Sequence, residues 1–166
     1  MYKIKYTNDY CISFEQEACR RLVFFEQSVL HQESKKYFLS IPKINFEIFY
    51  KKGVNENQYI FSKANVFFKI NDESYRVPFY NIEKEGRICL GPIDFIIHKT
   101  KEELIEWFLK NFWNRKFFFE HPSAGSWISY KDQKKDIADF SFWQEKTKKD
   151  KNWIPQEEDL IKCTRY

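Results

Sequence analysis

Two runs, YFLSIPKINFEIFYKKG (37–53) and NQYIFSKANVFFKIN (57–71), constrain this chain more than any other feature. Both are dense in Ile, Val, Phe and Tyr and partly alternate apolar with polar residues, as strands half-buried on one face of a sheet do. Gly53 and Asn55 mark the turn between them, and Asn71-Asp72 marks a tighter one after the second. SYRVPFY (74–80) reads as a third strand ending near Pro78. Consecutive strands with short turns predict an antiparallel meander.

Helical signals flank this region. Ser13 with Gln16 three residues on is a capping-box pattern, and Phe14, Ala18, Leu22, Phe25 and Val29 follow at three- and four-residue steps. The spacing predicts an amphipathic helix over 14–31, with Arg20 and Arg21 on its exposed side. Thr100 and Glu103 form a second capping-box pattern. Behind it Leu104, Ile105, Phe108, Leu109 and Phe112 predict a helix over 101–114. In the tail, KDIADFSFWQEK (135–146) reads as a helix and PQEEDLIKC (155–163) as a short one opened by proline. The order is helix, meander, loop and helices: an α+β layer fold. No repeat or Gly/Ser linker divides it, so residues 1–166 are expected to form one domain, with a core over 13–114 and a helical or irregular extension over 115–166.

Composition narrows the class. At 43% hydrophobic and 31% charged residues the chain is not a disordered one. Aromatics make up 20% of it, including 18 Phe, which suits thick ring packing. A net charge of +4, from basic and acidic residues interspersed along the chain, is too weak to argue for nucleic acid. The start, MYKIKYTNDY, lacks the apolar core of a signal peptide, and no run approaches the ~20 apolar residues of a membrane span. Cys11, Cys19, Cys89 and Cys163 show no paired spacing and have no histidine close in sequence, so no metal site is expected. A reducing cytoplasm with free thiols is the expected setting.

One cysteine stands apart. In VPFYNIEKEGRICLG (77–91), Cys89 follows Asn81 with seven residues between them, Gly86 lies three before the thiol, and Ile88 and Leu90 flank it as apolar anchors. This segment resembles the active-site loop of the ubiquitin-conjugating (E2) enzymes: His-Pro-Asn, seven residues, then the catalytic cysteine, with glycine three before it and leucine after. Phe79 and Tyr80 stand where that family has histidine and proline. The departure is similar to the bacterial branch, encoded beside ubiquitin-like modifiers, activating enzymes and peptidases in antiphage operons or plasmid-borne cassettes. The tight resemblance covers 78–91, and the order of elements extends it over about 13–114.

The resemblance implies a ubiquitin-conjugating-enzyme-like fold and a thioester relay. Cys89 would accept the C-terminal acyl group of a ubiquitin-like protein from an activating enzyme and yield it to an amine of a protein target, with no cofactor, nucleic acid or membrane involved. Asn81 would either donate its amide to the oxyanion or brace the loop. In the first role its loss spares charging and slows transfer; in the second both steps suffer. Phe79 and Tyr80 would brace the loop by burying their rings, or Tyr80 would reach the site with its hydroxyl. Asp94, His98 and His121 are candidate bases, each more simply a solvated residue. Arg20 and Arg21 match the helix that meets the activating enzyme in the family. FLKNFWNRKFFFE (108–120) reads as core plus rim, or as a partner surface. Two other readings stand beside this one. An inactive conjugating fold would bind a ubiquitin-like protein without carrying it, although such variants lack the cysteine. A nucleic-acid-binding β-domain would use the aromatics interleaved with lysines in IFSKANVFFKI.

Overall fold

The structure, a computed structural model, describes residues 1–26, 34–118 and 124–164. The strands are β1 (Lys3–Thr7), β2 (Cys11–Gln16), β3 (Cys19–Glu26), β4 (Ser34–Ile41), β5 (Lys43–Lys52), β6 (Tyr59–Ile70), β7 (Glu73–Tyr75), β8 (Ile97–His98) and β9 (Lys116–Phe118). The helices are α1 (Lys101–Trp113), α2 (Gly125–Gln133), α3 (Lys135–Ala138) and α4 (Phe140–Lys149), followed by a short 3₁₀ turn at Glu157–Asp159. Among the described residues one sheet runs β1-β2-β5-β6-β7, with β8 also on β6, and a second runs β4-β3-β9.

The meander forms as the sequence predicts along β5, β6 and β7, all antiparallel. The left-handed pair Asn71 and Asp72 makes the tight turn. The third strand is shorter than expected and ends at Tyr75. Beyond it the backbone finds partners outside the sheet: Arg76 donates its N–H to Ile161, and Val77 accepts from the Ser126 hydroxyl at 2.7 Å.

The helix expected over 14–31 is not there. Residues 11–16 and 19–26 are β2 and β3, and residues 27–31 lie outside the described part. The fold buries alternate residues along each strand instead of the three- and four-residue stripe. Ile12, Phe14 and Gln16 point inward, as do Val23 and Phe25, whereas Ala18 and Leu22 of the supposed stripe are exposed. Pairing partners decide between the two periods. β2 lies on β5 and β3 on β4 in one continuous register, Gln16 opposite Ile44 and Cys19 opposite Ile41. This long ribbon bends where Pro42 interrupts it, passing from one sheet into the other. Ser13 and Gln16 are not capping residues: the Ser13 hydroxyl bonds Asn45 across the strands, and Gln16 accepts from the Trp113 indole at 2.9 Å.

α1 forms where expected, capped by Thr100, whose hydroxyl accepts from the Glu103 N–H at 3.1 Å. Its buried stripe of Leu104, Ile105, Phe108 and Phe112 lies on the larger sheet, with Phe108 edge-on to Phe14 and Phe46. The expected 135–146 helix divides at Asp139, whose carboxylate caps α4 through Ser141 and Phe142. The proline-led segment makes only the short 3₁₀ turn. α4 packs on β4, and its side chains hold the strand's backbone: Gln144 and Thr147 accept from Phe38 and Ser40, and Trp143 donates to Ser40. Phe117, Trp127, Tyr130, Phe140, Trp143 and Leu160 from beyond residue 114 belong to the same buried cluster as Phe14 and Phe46.

Candidate functional site

The segment 81–89 folds as a small hairpin laid along the outer edge of β6. Its limbs are joined by Glu83 N–H to Arg87, Cys89 N–H to Asn81 (2.9 Å) and an Ile82–Ile88 bridge, and the turn closes through Gly86 N–H to Glu83. The second limb then pairs with β6: Val66 donates to Gly86 and Ile88 donates to Ala64, both at 2.9 Å. The free edge of β6 is thus covered by β8, this hairpin and β7 in turn. Gly86 is required here. It holds φ +87°, and a Cβ would lie 2.4 Å from the Phe67 ring and 2.9 Å from the Val66 carbonyl.

The flanking sequence anchors the thiol. Ile88 and Leu90 are buried on either side of Cys89, which itself remains partly exposed. Asn81 is 2% exposed, and its side-chain amide donates to the Cys89 carbonyl at 3.4 Å, a long contact reinforcing the backbone bond between the same residues. Behind the hairpin Phe79 and Tyr80 bury their rings. Phe79 lies against Phe25, Phe117 and Trp143; Tyr80 lies against Phe25, Trp127 and Phe140. Burial, with Tyr37 and Asp139 nearby, pushes the Tyr80 phenol far above its ordinary pKa, so it stays a neutral packing group. The start of α2 clamps the hairpin from below, with Ser126 N–H on the Ile82 carbonyl.

Of the residues singled out from sequence, the fold joins Asn81 and Cys89 directly and sets Tyr80 in the core behind them. Asp94 lies on the exposed stretch 91–97. His98 is buried against Trp107 on β8 with its Nε2 unpaired, and burial lowers its pKa. His121 lies outside the described residues. Arg20 and Arg21 sit on β3 rather than on a helix. Adjacent strand residues face opposite ways: Arg20 reaches the Asp150 carbonyl, and Arg21 lies 4.1 Å from the centre of the Trp113 ring. The shared helical face assumed for them does not exist.

Cys11, Cys19 and Cys163 are free thiols, as is Cys89. Burial pushes the thiols of Cys11 and Cys163 up, away from the reactive thiolate. Cys163 lines a cavity of ≈ 760 Å³ with Arg76, Ser129 and Lys84, on which Cys89 does not border.

One residue at the site carried no motif. Arg115, in the bend between α1 and β9, lays its guanidinium over Gly91: a Cβ there would stand 2.8 Å from Nη1. Burial pulls its pKa down, and the interaction with Cys89 opposes that shift. Only its place in the aromatic-basic run 108–120 hinted at it, because the approach depends on where α1 ends.

The candidate site is thus a partly exposed thiol on a braced hairpin with a buried asparagine behind it. The model of prokaryotic E2 family D matches residues 4–161, nearly the whole chain, and the chain belongs to that family. Neither a curated protein nor a solved structure matches it. It is an E2-like protein of mixed α+β architecture, and among the described residues no helix is long and apolar enough to cross a membrane.

Proposed function

We propose that this protein is an acyltransferase of a prokaryotic ubiquitin-like conjugation pathway, with Cys89 as its thioester-forming residue. The Cys89 thiolate attacks the thioester joining a ubiquitin-like protein to its activating enzyme, and the activating enzyme's thiolate leaves. An amine of the target then attacks the acyl carbon. A C–N bond forms, the C–S bond breaks with its electron pair returning to Sγ, and the amine proton passes to solvent. A pathway of this kind fits antiphage defence.

The observation that carries this reading is the hairpin itself: three backbone bonds and two buried flanking residues hold one partly exposed cysteine at a fixed place. A packing cysteine needs none of that support. Against the nucleic-acid reading, Phe68 of the aromatic-lysine run is buried in the core and Phe67 lies against Gly86. The test is to mix the protein with its activating enzyme, the modifier and ATP and to separate the products without reductant. A thiol-sensitive adduct is expected with the native chain and absent with Cys89→Ala. An adduct that persists in that variant rules out Cys89, and a native chain that binds the modifier without forming one favours an inactive binding module.

A further inference from the structure

We propose that Arg115 stabilises the negative charge that develops at Cys89 during acyl transfer. The proposal rests on the thioester reading of Cys89 and assigns its electrostatic partner.

Three observations converge on this residue. First, its backbone is pinned from both sides. Asn114 ends α1 with its N–H on the Lys110 carbonyl, and Lys116 begins β9, which lies parallel on β3. Second, the guanidinium crosses the backbone at Gly91, two residues past the thiol, where φ is +62° and the missing side chain leaves it room. Any Cβ at that position would displace Nη1. Third, among the described residues no carboxylate pairs with Arg115, although it is half-buried. Withdrawing a cation from water without a counter-ion is costly. The acidic group that couples to it electrostatically is Cys89, two residues from the Gly91 backbone it crosses.

The reaction supplies such an anion twice. As the amine attacks, charge collects on the thioester oxygen, and as the C–S bond breaks it moves to Sγ. A guanidinium offers a planar fork of N–H donors suited to that oxygen and a fixed positive charge for the leaving sulfur. Asn81, the other candidate for the oxyanion, turns one of its two amide N–H groups to the Cys89 carbonyl. On this proposal Asn81 braces the loop and Arg115 stabilises the charge.

The experiment has one arm that needs no modifier. Cys89 is alkylated with neutral iodoacetamide and with anionic iodoacetate at low salt, and each rate is read at the Cys89 peptide by mass spectrometry. A cation beside the sulfur favours the anionic reagent, and the ratio of the two rates cancels differences in thiolate fraction. Arg115→Gln is expected to lower the iodoacetate-to-iodoacetamide ratio about three- to five-fold, and Arg115→Lys to preserve it. The second arm follows discharge of the Cys89 thioester to free lysine. Arg115→Gln is expected to slow it about 10²-fold, with partial recovery in Arg115→Lys. An unchanged ratio in a folded Arg115→Gln variant, or discharge at the native rate, overturns the proposal. Failure of the native chain to charge at all counts against the thioester reading, and the alkylation arm still decides whether Arg115 acts on the sulfur.

Discussion

Asn81 shows how a single side chain is committed by its surroundings. It is buried at the root of the hairpin, with its backbone carbonyl on the Cys89 N–H and its amide on the Cys89 carbonyl. Removing that amide takes a long contact from the part-buried Cys89 carbonyl, a cost of about 0.5–1.5 kcal/mol. Asn81→Ala is therefore expected to lower the melting temperature and to slow charging and discharge by similar factors in single-turnover assays. Charging at the native rate with discharge alone impaired would return the oxyanion role to Asn81. The link between Asn81 and Cys89 was legible in the sequence only through the resemblance of their spacing to the E2 active-site motif, and the hairpin that joins them came from the fold. Arg115 was not readable, because 23 residues lie between Gly91 and it in the chain.

Among the elements, β8 is the shortest and carries a buried histidine. Its two residues pair with Tyr59 and Ile60 and end the exposed stretch that follows Cys89. His98 is buried there against Trp107, and desolvation lowers its pKa, opposed by Glu103. A histidine whose folded pKa lies below its unfolded value favours the fold when neutral, so that contribution is complete above about pH 6.5 and is lost as pH falls below it. Thermal melts between pH 7.5 and 5 are expected to show stability falling toward acid, with a shallower slope in His98→Gln. Equal slopes would remove His98 as the cause. α1 was legible because its cap and stripe agree with each other and with its length. The helical spacing of 14, 18, 22 and 25 conceals β2 and β3, whose buried residues 12, 14 and 16 and then 23 and 25 alternate in two short runs out of phase with each other. Only the partner strands β5 and β4 reveal them.

At the scale of the whole molecule, the C-terminal segment supplies rings that join the two sheets behind the hairpin. Trp143 is fully buried, donates to the Ser40 carbonyl at 3.1 Å and lies against Phe68, Phe79 and Phe140. It therefore ties α4 to β4, to β6 and to the residues preceding Asn81. Trp143→Ala is expected to cost about 3–5 kcal/mol, a large share of the ~5–15 kcal/mol that holds a typical domain together. Chemical denaturation measures it as a lower midpoint, and a loss below about 1 kcal/mol would make α4 peripheral to the fold. Locally the sequence determined the meander, α1 and the Asn71-Asp72 turn, each written in residues close together in the chain. Tertiary structure alone decided the strand identity of residues 11–26, the burial of Phe79 and Tyr80 in place of a histidine brace, and the guanidinium over Gly91. Those outcomes depend on contacts between segments far apart in sequence, where the energy of pairing and burial outweighs local preference.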